Sequence, residues 1–473
     1  VSFEDFIQKS MKGLLGLGFK DFWAYYPTTL IISSSYPQRS HLLYSLPQQE
    51  DKDNATVSEW RFSPLATMTS ISAVQTRIQQ HRQQFPALAN KSYFNYGGQG
   101  PMPQAALDAI IASQEYIQLN GPFSSQVNTW ITLETENTRQ AIATELNAPP
   151  ETITLTEDVT VGCNIALWGI DWQAGDRILL SDCEHPGVIA TTQEIARRFG
   201  VEVSTCPLMA TLNEGDPAAV IAQHLTPRTR LVVISHILWN TGQVLPVDKI
   251  VEICRQHQGD RPVQILVDAA QSVGLLPLNL TQLGADFYAF TGHKWMCGPA
   301  GVGGLYVRPE ALLGTDNCPP LQPTFIGWRS VVTDSKGQPQ AWQPDGRRYE
   351  VATSAFPQYA GLRAAIATHQ EWGTAEERYQ QICQLSQYLW QRLNELSDIV
   401  CLRNAPPQAG LVSFQLKDRS SPHAKLVQFL ESQHLMTRTL VDPDCVRACV
   451  HYFTLPSEID RLIQEIERFC QQN

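Results

Sequence analysis

Short apolar runs, each closed by small or polar residues, recur through the middle of this chain and limit what it can fold into. Ile153-Thr154-Leu155-Thr156, Arg177-Ile178-Leu179-Leu180-Ser181, Leu231-Val232-Val233-Ile234-Ser235, Val263-Gln264-Ile265-Leu266-Val267 and Asp286-Phe287-Tyr288-Ala289-Phe290 have the length and composition of strands. Helical patterns accompany them at Gln104–Leu119, from about residue 130 to 146, and at Ile250–His257. Apolar strands alternating with helices predict an α/β fold, a mostly parallel sheet with helices on both faces. Ligands of such sheets bind beyond the strand C-termini.

The residues that follow each strand therefore carry the chemistry. Asp158-Val159-Thr160-Val161-Gly162-Cys163-Asn164 turns into a helix at Ile165–Trp168. Hydroxyl and glycine at such a turn suit an anion, because backbone amides and the helix dipole face it. Thr160 reads equally as a plain helix cap. His185 closes the next strand, where a histidine stacks on a flat ring, moves a proton or serves structure. Asp268-Ala269-Ala270-Gln271 puts a carboxylate just past a buried strand, and a buried carboxylate needs a partner. A pyridinium N–H is one. Thr291-Gly292-His293-Lys294 ends the following strand and leads into Gly298-Pro299-Ala300-Gly301-Val302-Gly303-Gly304. Lys294 is either a surface lysine or an amine in a dry pocket, able to form a Schiff base with pyridoxal phosphate. Thr160, His185, Asp268, Gln271 and Lys294 all follow predicted strands, and their convergence favours the second reading. Upstream, Gly97-Gly98-Gln99-Gly100 either makes an ordinary turn or lets the backbone pass close to a ligand.

A chain of 473 residues is long for one core, so two domains are expected. The formal charge of −11, with no basic block, argues against nucleic acid as a partner. No apolar run is long enough for a bilayer, and none is expected to enter a membrane. The 11 scattered cysteines suit a reducing cytoplasm better than a disulfide framework. No His/Cys cluster completes a zinc pattern, so no metal is expected. Residues 1–67 differ in composition: Gly13-Leu14-Leu15-Gly16-Leu17-Gly18-Phe19 is short and apolar, and Gln48–Asn54 is polar. They read as a poorly ordered extension or an over-called start, with Met68 next. Residues 68–92 read as a helical segment of a small domain, 93–355 as the large domain and 356–473 as the rest of the small α+β domain. That last part has helices at Ala375–Leu396 and Ala424–Gln433, strands at Gly410–Leu416 and Arg447–Tyr452, and a closing amphipathic helix through Ile459, Leu462, Ile463, Ile466 and Phe469.

From about Tyr93 onward the chain resembles the class V aminotransferase-like pyridoxal-phosphate enzymes, the group that holds the cysteine desulfurases. Within it, the resemblance is to the cystine C–S lyases. It is carried by Asp182-Cys183-Glu184-His185-Pro186-Gly187, Trp239-Asn240-Thr241-Gly242-Gln243, Phe290-Thr291-Gly292-His293-Lys294, Gly327-Trp328-Arg329-Ser330 and Asp442-Pro443-Asp444-Cys445-Val446-Arg447. It implies the type I pyridoxal-phosphate-dependent transferase fold, with a mostly parallel seven-stranded sheet and a smaller α+β C-terminal domain. Lys294 resembles the Schiff-base lysine, Asp268 the partner of the ring nitrogen, Gln271 the donor to the ring oxygen and His185 the stacked histidine. Thr160, Gly162, Thr291 and His293 resemble the phosphate cup. Thr353 and Trp328 resemble residues lent across a homodimer, and Asn240 one near the substrate. Arg447 resembles the arginine that grips the α-carboxylate, and Arg438 would hold a second carboxylate. The implied activity is β-elimination on L-cystine or L-cysteine, giving pyruvate, ammonia and a persulfide or sulfide. Desulfurases use a loop cysteine ahead of that arginine, and Ser432–Asp444 contains none. Cys445 is expected beside the strand, in a structural role. The alternatives are a cysteine desulfurase giving alanine and sulfur for iron–sulfur clusters through an acceptor protein, another enzyme of this fold, or a non-catalytic pyridoxal-phosphate-binding protein.

Overall fold

Seven strands make the central sheet: β1 (Ile153–Thr156), β2 (Arg177–Ser181), β3 (Glu202–Cys206), β4 (Thr229–Ser235), β5 (Gln264–Asp268), β6 (Phe287–Thr291) and β7 (Gly303–Val307). The computed structural model describes residues 76–316, 318–418 and 422–472. The described residues belong to one compact unit, Ser63–Asn473. The expected extension 1–67 and the start of the 68–92 segment lie outside them. The sheet order is β1-β7-β6-β5-β4-β2-β3. Strand β7 runs antiparallel to β1 and β6, while the pairs β6–β5, β5–β4, β4–β2 and β2–β3 are parallel.

Both faces of the sheet are buried, which is why its strands read as continuous apolar runs. Along β4, Val232 and Ile234 enter one core layer while Leu231 and Val233 enter the other. The first layer is closed by α2 (Ser125–Glu145), α5 (Pro217–His224), α6 (Val247–Gln256) and α7 (Phe356–Trp372). The second is closed by α3 (Val159–Gly169) and α4 (Pro186–Phe199). Helix α1 (Gln104–Leu119) packs on α7. Among the described residues, no helix is long and apolar enough to cross a membrane.

A second sheet, antiparallel, has the order β8-β9-β11-β10, with β8 (Ile399–Cys401), β9 (Leu411–Leu416), β10 (Arg438–Val441) and β11 (Asp444–Cys449). One face packs Val412, Phe414, Val446 and Ala448 against α8 (Ala375–Asn394), α9 (His423–Ser432) and α10 (Pro456–Gln472). The alternation of side chains puts Ser413 and Arg447 on its other face. A short parallel pair, Ser92–Tyr93 with Leu435–Met436, joins the residues before Gly97 to this sheet's region.

Two expectations need correction. The helix placed at Ile165–Trp168 begins at Val159, and Asp158 caps it by accepting from the Val161 amide at 2.9 Å. Thr160 is thus inside the first turn and is not the cap, because a cap must precede the helical residues. Arg447 was expected at a strand start, yet it lies inside β11, paired on both sides. The strand begins earlier because Asp444 and Cys445 pair with Val441 and Leu440.

Candidate active site

The parallel strands end together, so their following residues meet. Ser235 pairs with Asp268, so β4 and β5 stop in register, and β6 runs two residues past the Ala289 partner of Asp268, to Thr291. Beyond them lies a cavity of about 290 Å³. Thr160, His185, Asp268, Gln271, His293, Lys294, Arg438 and Arg447 all line it. Eight of the sequence-derived site residues are therefore brought together from both sheets.

Lys294 is the cation at the centre. Burial lowers its pKa to about 8; Asp268 opposes that shift, and Arg447 and Arg438 add to it. Asp268 is nearly buried and accepts from the Ala270 amide at 2.9 Å. His185 caps α4, its Nδ1 accepting from the Gly187 amide at 3.2 Å, and its ring meets Trp239 edge-on. Accepting at Nδ1 places the neutral ring's proton on Nε2. Burial lowers the His185 pKa, against the pull of Asp268, which favours that neutral form. Asp158, Val159 and Thr160 bring the N-terminal turn of α3 to the wall, where its amides and dipole suit an anion.

Arg447 is 2 % exposed. Its Nη1 donates to the Trp239 carbonyl at 2.6 Å, and its Nε has no hydrogen-bond partner. Burial lowers its pKa. Gly97 makes room for it: a Cβ there would stand 2.8 Å from Arg447 Cζ and 3.0 Å from Gln271 Oε1. Gln271 donates from Nε2 to the Gly97 carbonyl at 2.9 Å. Gly97 and Gly98 line the cavity, and the bare Cα of Gly97 leaves room for both side chains.

The remaining sequence-derived residues stand elsewhere. Thr291 is buried behind the wall and shares a hydrogen bond of 2.6 Å with His293 Nδ1. Gly162 seats α3 on the sheet, since a Cβ there would stand 3.0 Å from the Ala289 Cβ. Asn240 does not line the cavity; it donates to the Asp442 carbonyl at 3.1 Å, and its own carbonyl accepts from Ser413 Oγ at 2.6 Å. Thr353 is exposed and lines a separate depression with Glu157 and Tyr349. Trp328 is 65 % exposed and borders another with Phe123. Ser235, Ile237 and Trp239 line the cavity without having been assigned a role from sequence. Their signal was position after a strand, which Trp239 shares with many inert loop residues.

Among the described residues, no cysteine lines the cavity. Cys445 is fully buried on β11, and burial pushes its pKa up to about 12. Burial outweighs the opposite pull of Arg447, and a buried thiol of this kind is poorly placed to attack.

A partly neutral amine, a buried carboxylate, a helix N-terminus and a neutral imidazole suit a flat cationic ring carrying an aldehyde and a phosphate. Fold and site are those of a type I pyridoxal-phosphate enzyme. The chain belongs to the aminotransferase class-V family, whose model matches residues 92–460. A probable cysteine desulfurase of Xylella fastidiosa is 28 % identical over 387 residues, 78 % of this chain and 89 % of that protein. The cystine C–S lyase C-DES, solved with its reaction product cysteine persulfide, is 55 % identical with a TM-score of 0.79, covering 81 % of this chain and 99 % of that one. A C-DES variant with glycine covalently linked to the pyridoxal-phosphate cofactor matches at the same identity and TM-score, covering 82 % and 98 %.

Proposed function

We propose that this chain is a carbon–sulfur lyase that eliminates the β-sulfur of L-cystine. The observation that carries this reading is the pair Arg438 and Arg447, opposite each other on β10 and β11 at a cavity that no cysteine lines. Two guanidinium groups suit a substrate with two carboxylates. A desulfurase needs an attacking thiol, and none stands here.

When bound, pyridoxal phosphate supplies an electron sink that stabilises negative charge at the substrate Cα. The chain's own residues do the rest. Thr160 and His293, with the N-terminal turn of α3 seated by Gly162, would hold the phosphate, and Thr291 would orient His293 through their shared hydrogen bond. Asp268 would keep the ring nitrogen protonated, Gln271 would donate to the ring oxygen and His185 would lie against the ring, all three lining the cavity. Arg447 grips one carboxylate and Arg438 the other. Lys294 anchors the cofactor and then moves the Cα proton; a pKa near 8 leaves part of the amine neutral for that task. The Cβ–S bond breaks, and sulfur leaves with its electron pair as cysteine persulfide. The remaining three-carbon fragment takes up one water and yields pyruvate and ammonia.

Asn240 supports this site from behind, through the Asp442 carbonyl at the tip of the β10–β11 hairpin. Thr353 and Trp328 are exposed beyond this cavity, and their role is to complete the site of a second copy in a homodimer. The 11 scattered cysteines support a reducing cytoplasm as the enzyme's location, where a persulfide product could pass sulfur to an acceptor protein.

The test uses purified holoenzyme with L-cystine and, separately, L-cysteine. Pyruvate from cystine is expected. Alanine from cysteine would instead make this a desulfurase and overturn the elimination reading.

A further inference from the structure

Trp295 follows Lys294 directly and is fully buried. Its indole stacks with Tyr96, centroids 6.0 Å apart, and with His451, at 5.8 Å. Its carbonyl accepts from His451 Nε2 at 3.0 Å. His451 Nδ1 accepts from the Tyr452 amide, so the neutral ring carries its proton on Nε2 and donates to that carbonyl. The residue after the lysine is held through both backbone and side chain.

The indole N–H donates to Gln271 Oε1 at 2.9 Å. At its other end, the same amide donates from Nε2 to the Gly97 carbonyl at 2.9 Å. An indole nitrogen only donates and a carbonyl only accepts. The two contacts therefore decide which end of the amide is oxygen and which is nitrogen. One N–H of Nε2 is taken by Gly97, and the amide carries a second.

We propose that Trp295 is a positioning residue for the cofactor: it locks the Gln271 amide so that its second N–H meets the ring oxygen of bound pyridoxal phosphate. This rests on the assignment of Gln271 above. Without the indole, the amide loses one of the two contacts that fix it, and the Gly97 carbonyl alone opposes its turning over. A turned amide would aim oxygen at the Gly97 carbonyl and at the ring oxygen.

The test is a double-mutant cycle on cofactor binding, with no substrate present. Apo-protein is titrated with pyridoxal phosphate for W295F, Q271A and W295F/Q271A, and the visible absorbance of each loaded protein is followed against pH. W295F should weaken cofactor affinity roughly tenfold, about the effect of one hydrogen bond. It should also shift the absorbance midpoint. In the Q271A background, W295F should change neither. An equal effect in both backgrounds, or no effect in either, would overturn the proposal, because the indole would then serve packing alone. If W295F does not fold, the indole N–H spectrum decides. The signal that Q271A moves must also move when pyridoxal phosphate is added to the otherwise unaltered apo-protein. A spectrum in which no signal does both overturns the proposal. Failure of the cystine reading shows differently, as intact cofactor binding with no pyruvate.

Discussion

Arg438 and Arg447 are direct cross-strand neighbours on β10 and β11. Neither forms an ion pair with a described carboxylate. Like charges directly opposite each other destabilise a sheet. The arrangement is relieved by an anion that both can reach. Arg438→Leu should raise the KM for cystine roughly tenfold and leave that for cysteine nearly unchanged. Arg447→Leu should raise both by roughly 10- to 100-fold, the range for a charge-assisted hydrogen bond. Steady-state kinetics on the two substrates check this. Equal shifts for both substrates in the Arg438 variant would remove that residue from the distal carboxylate.

Lys294 should label with an amine-reactive reagent in the apo-protein with a midpoint near pH 8, because its pKa is lowered to about 8. Asp268 favours the charged amine, so Asp268→Asn should move the midpoint lower still. Arg447→Leu should move it higher. Peptide mass spectrometry across pH 6 to 10 reads all three. A midpoint in the ordinary lysine range would mean that the amine is not buried as described.

Glu350 is buried between Arg139, at 2.8 Å, and Arg329, at 2.7 Å. Burial alone would raise its pKa, but Arg139 and then Arg329 outweigh this and lower it. A lowered carboxyl stabilises the fold above its unfolded pKa and loses that contribution as pH falls through the folded value. Glu350→Gln should cost about 3 kcal/mol at neutral pH, since it takes away the buried counter-charge of Arg139 and leaves it only the half-exposed Glu136 at 3.5 Å. The gap to the unaltered protein should narrow in acid. Denaturant titrations at pH 7 and pH 4 measure it.

Buried imidazoles act in the other pH window. His81 is lowered to about 4 and His451 to about 3, both mainly by burial, and His369 lies well below its usual value for the same reason. The unfolded chain takes up these protons near the ordinary pKa, about 6.5. Between that value and the folded ones it holds more protons than the native state. Stability therefore falls as pH drops below about 6.5, by about 1.4 kcal/mol per unit for each fully buried imidazole. A denaturation midpoint that stays level from pH 6.5 to 4.5 would contradict neutral burial of this group.

The strands Ile153–Thr156 and Arg177–Ser181 and the helix Gln104–Leu119 were legible to the residue, because their apolar patterns end at turn residues. The edge strand Glu202–Cys206 was not. Glu202, Ser204 and Thr205 are polar and only Cys206 is buried, so the apolar signal is missing. Helix Phe356–Trp372 was also missed; it is buried around much of its girth, and Pro357 and Gly361 blur its period. At the site, Lys294, Asp268 and His185 were readable because strand ends are where parallel sheets bind ligands. Trp239 and Ser235 were not, since nothing local marks a loop tryptophan or a strand-end serine as cavity lining. The facing of Arg438 and Arg447 was equally hidden. Register across a hairpin depends on its turn, and neither arginine's own neighbours reveal it.

Gly97 touches both halves of the site. Its carbonyl is held by Gln271 from the large sheet, while the chain just before it is paired with Leu435–Met436 and its bare Cα lies against Arg447. On the roles proposed for Gln271 and Arg447, one backbone point would thus serve as a common datum for two measurements, where the ring lies and where the carboxylate lies. The two halves of the site cannot drift independently. An error in either sheet's placement reaches both, and the glycine acts as the gauge block between cofactor and substrate.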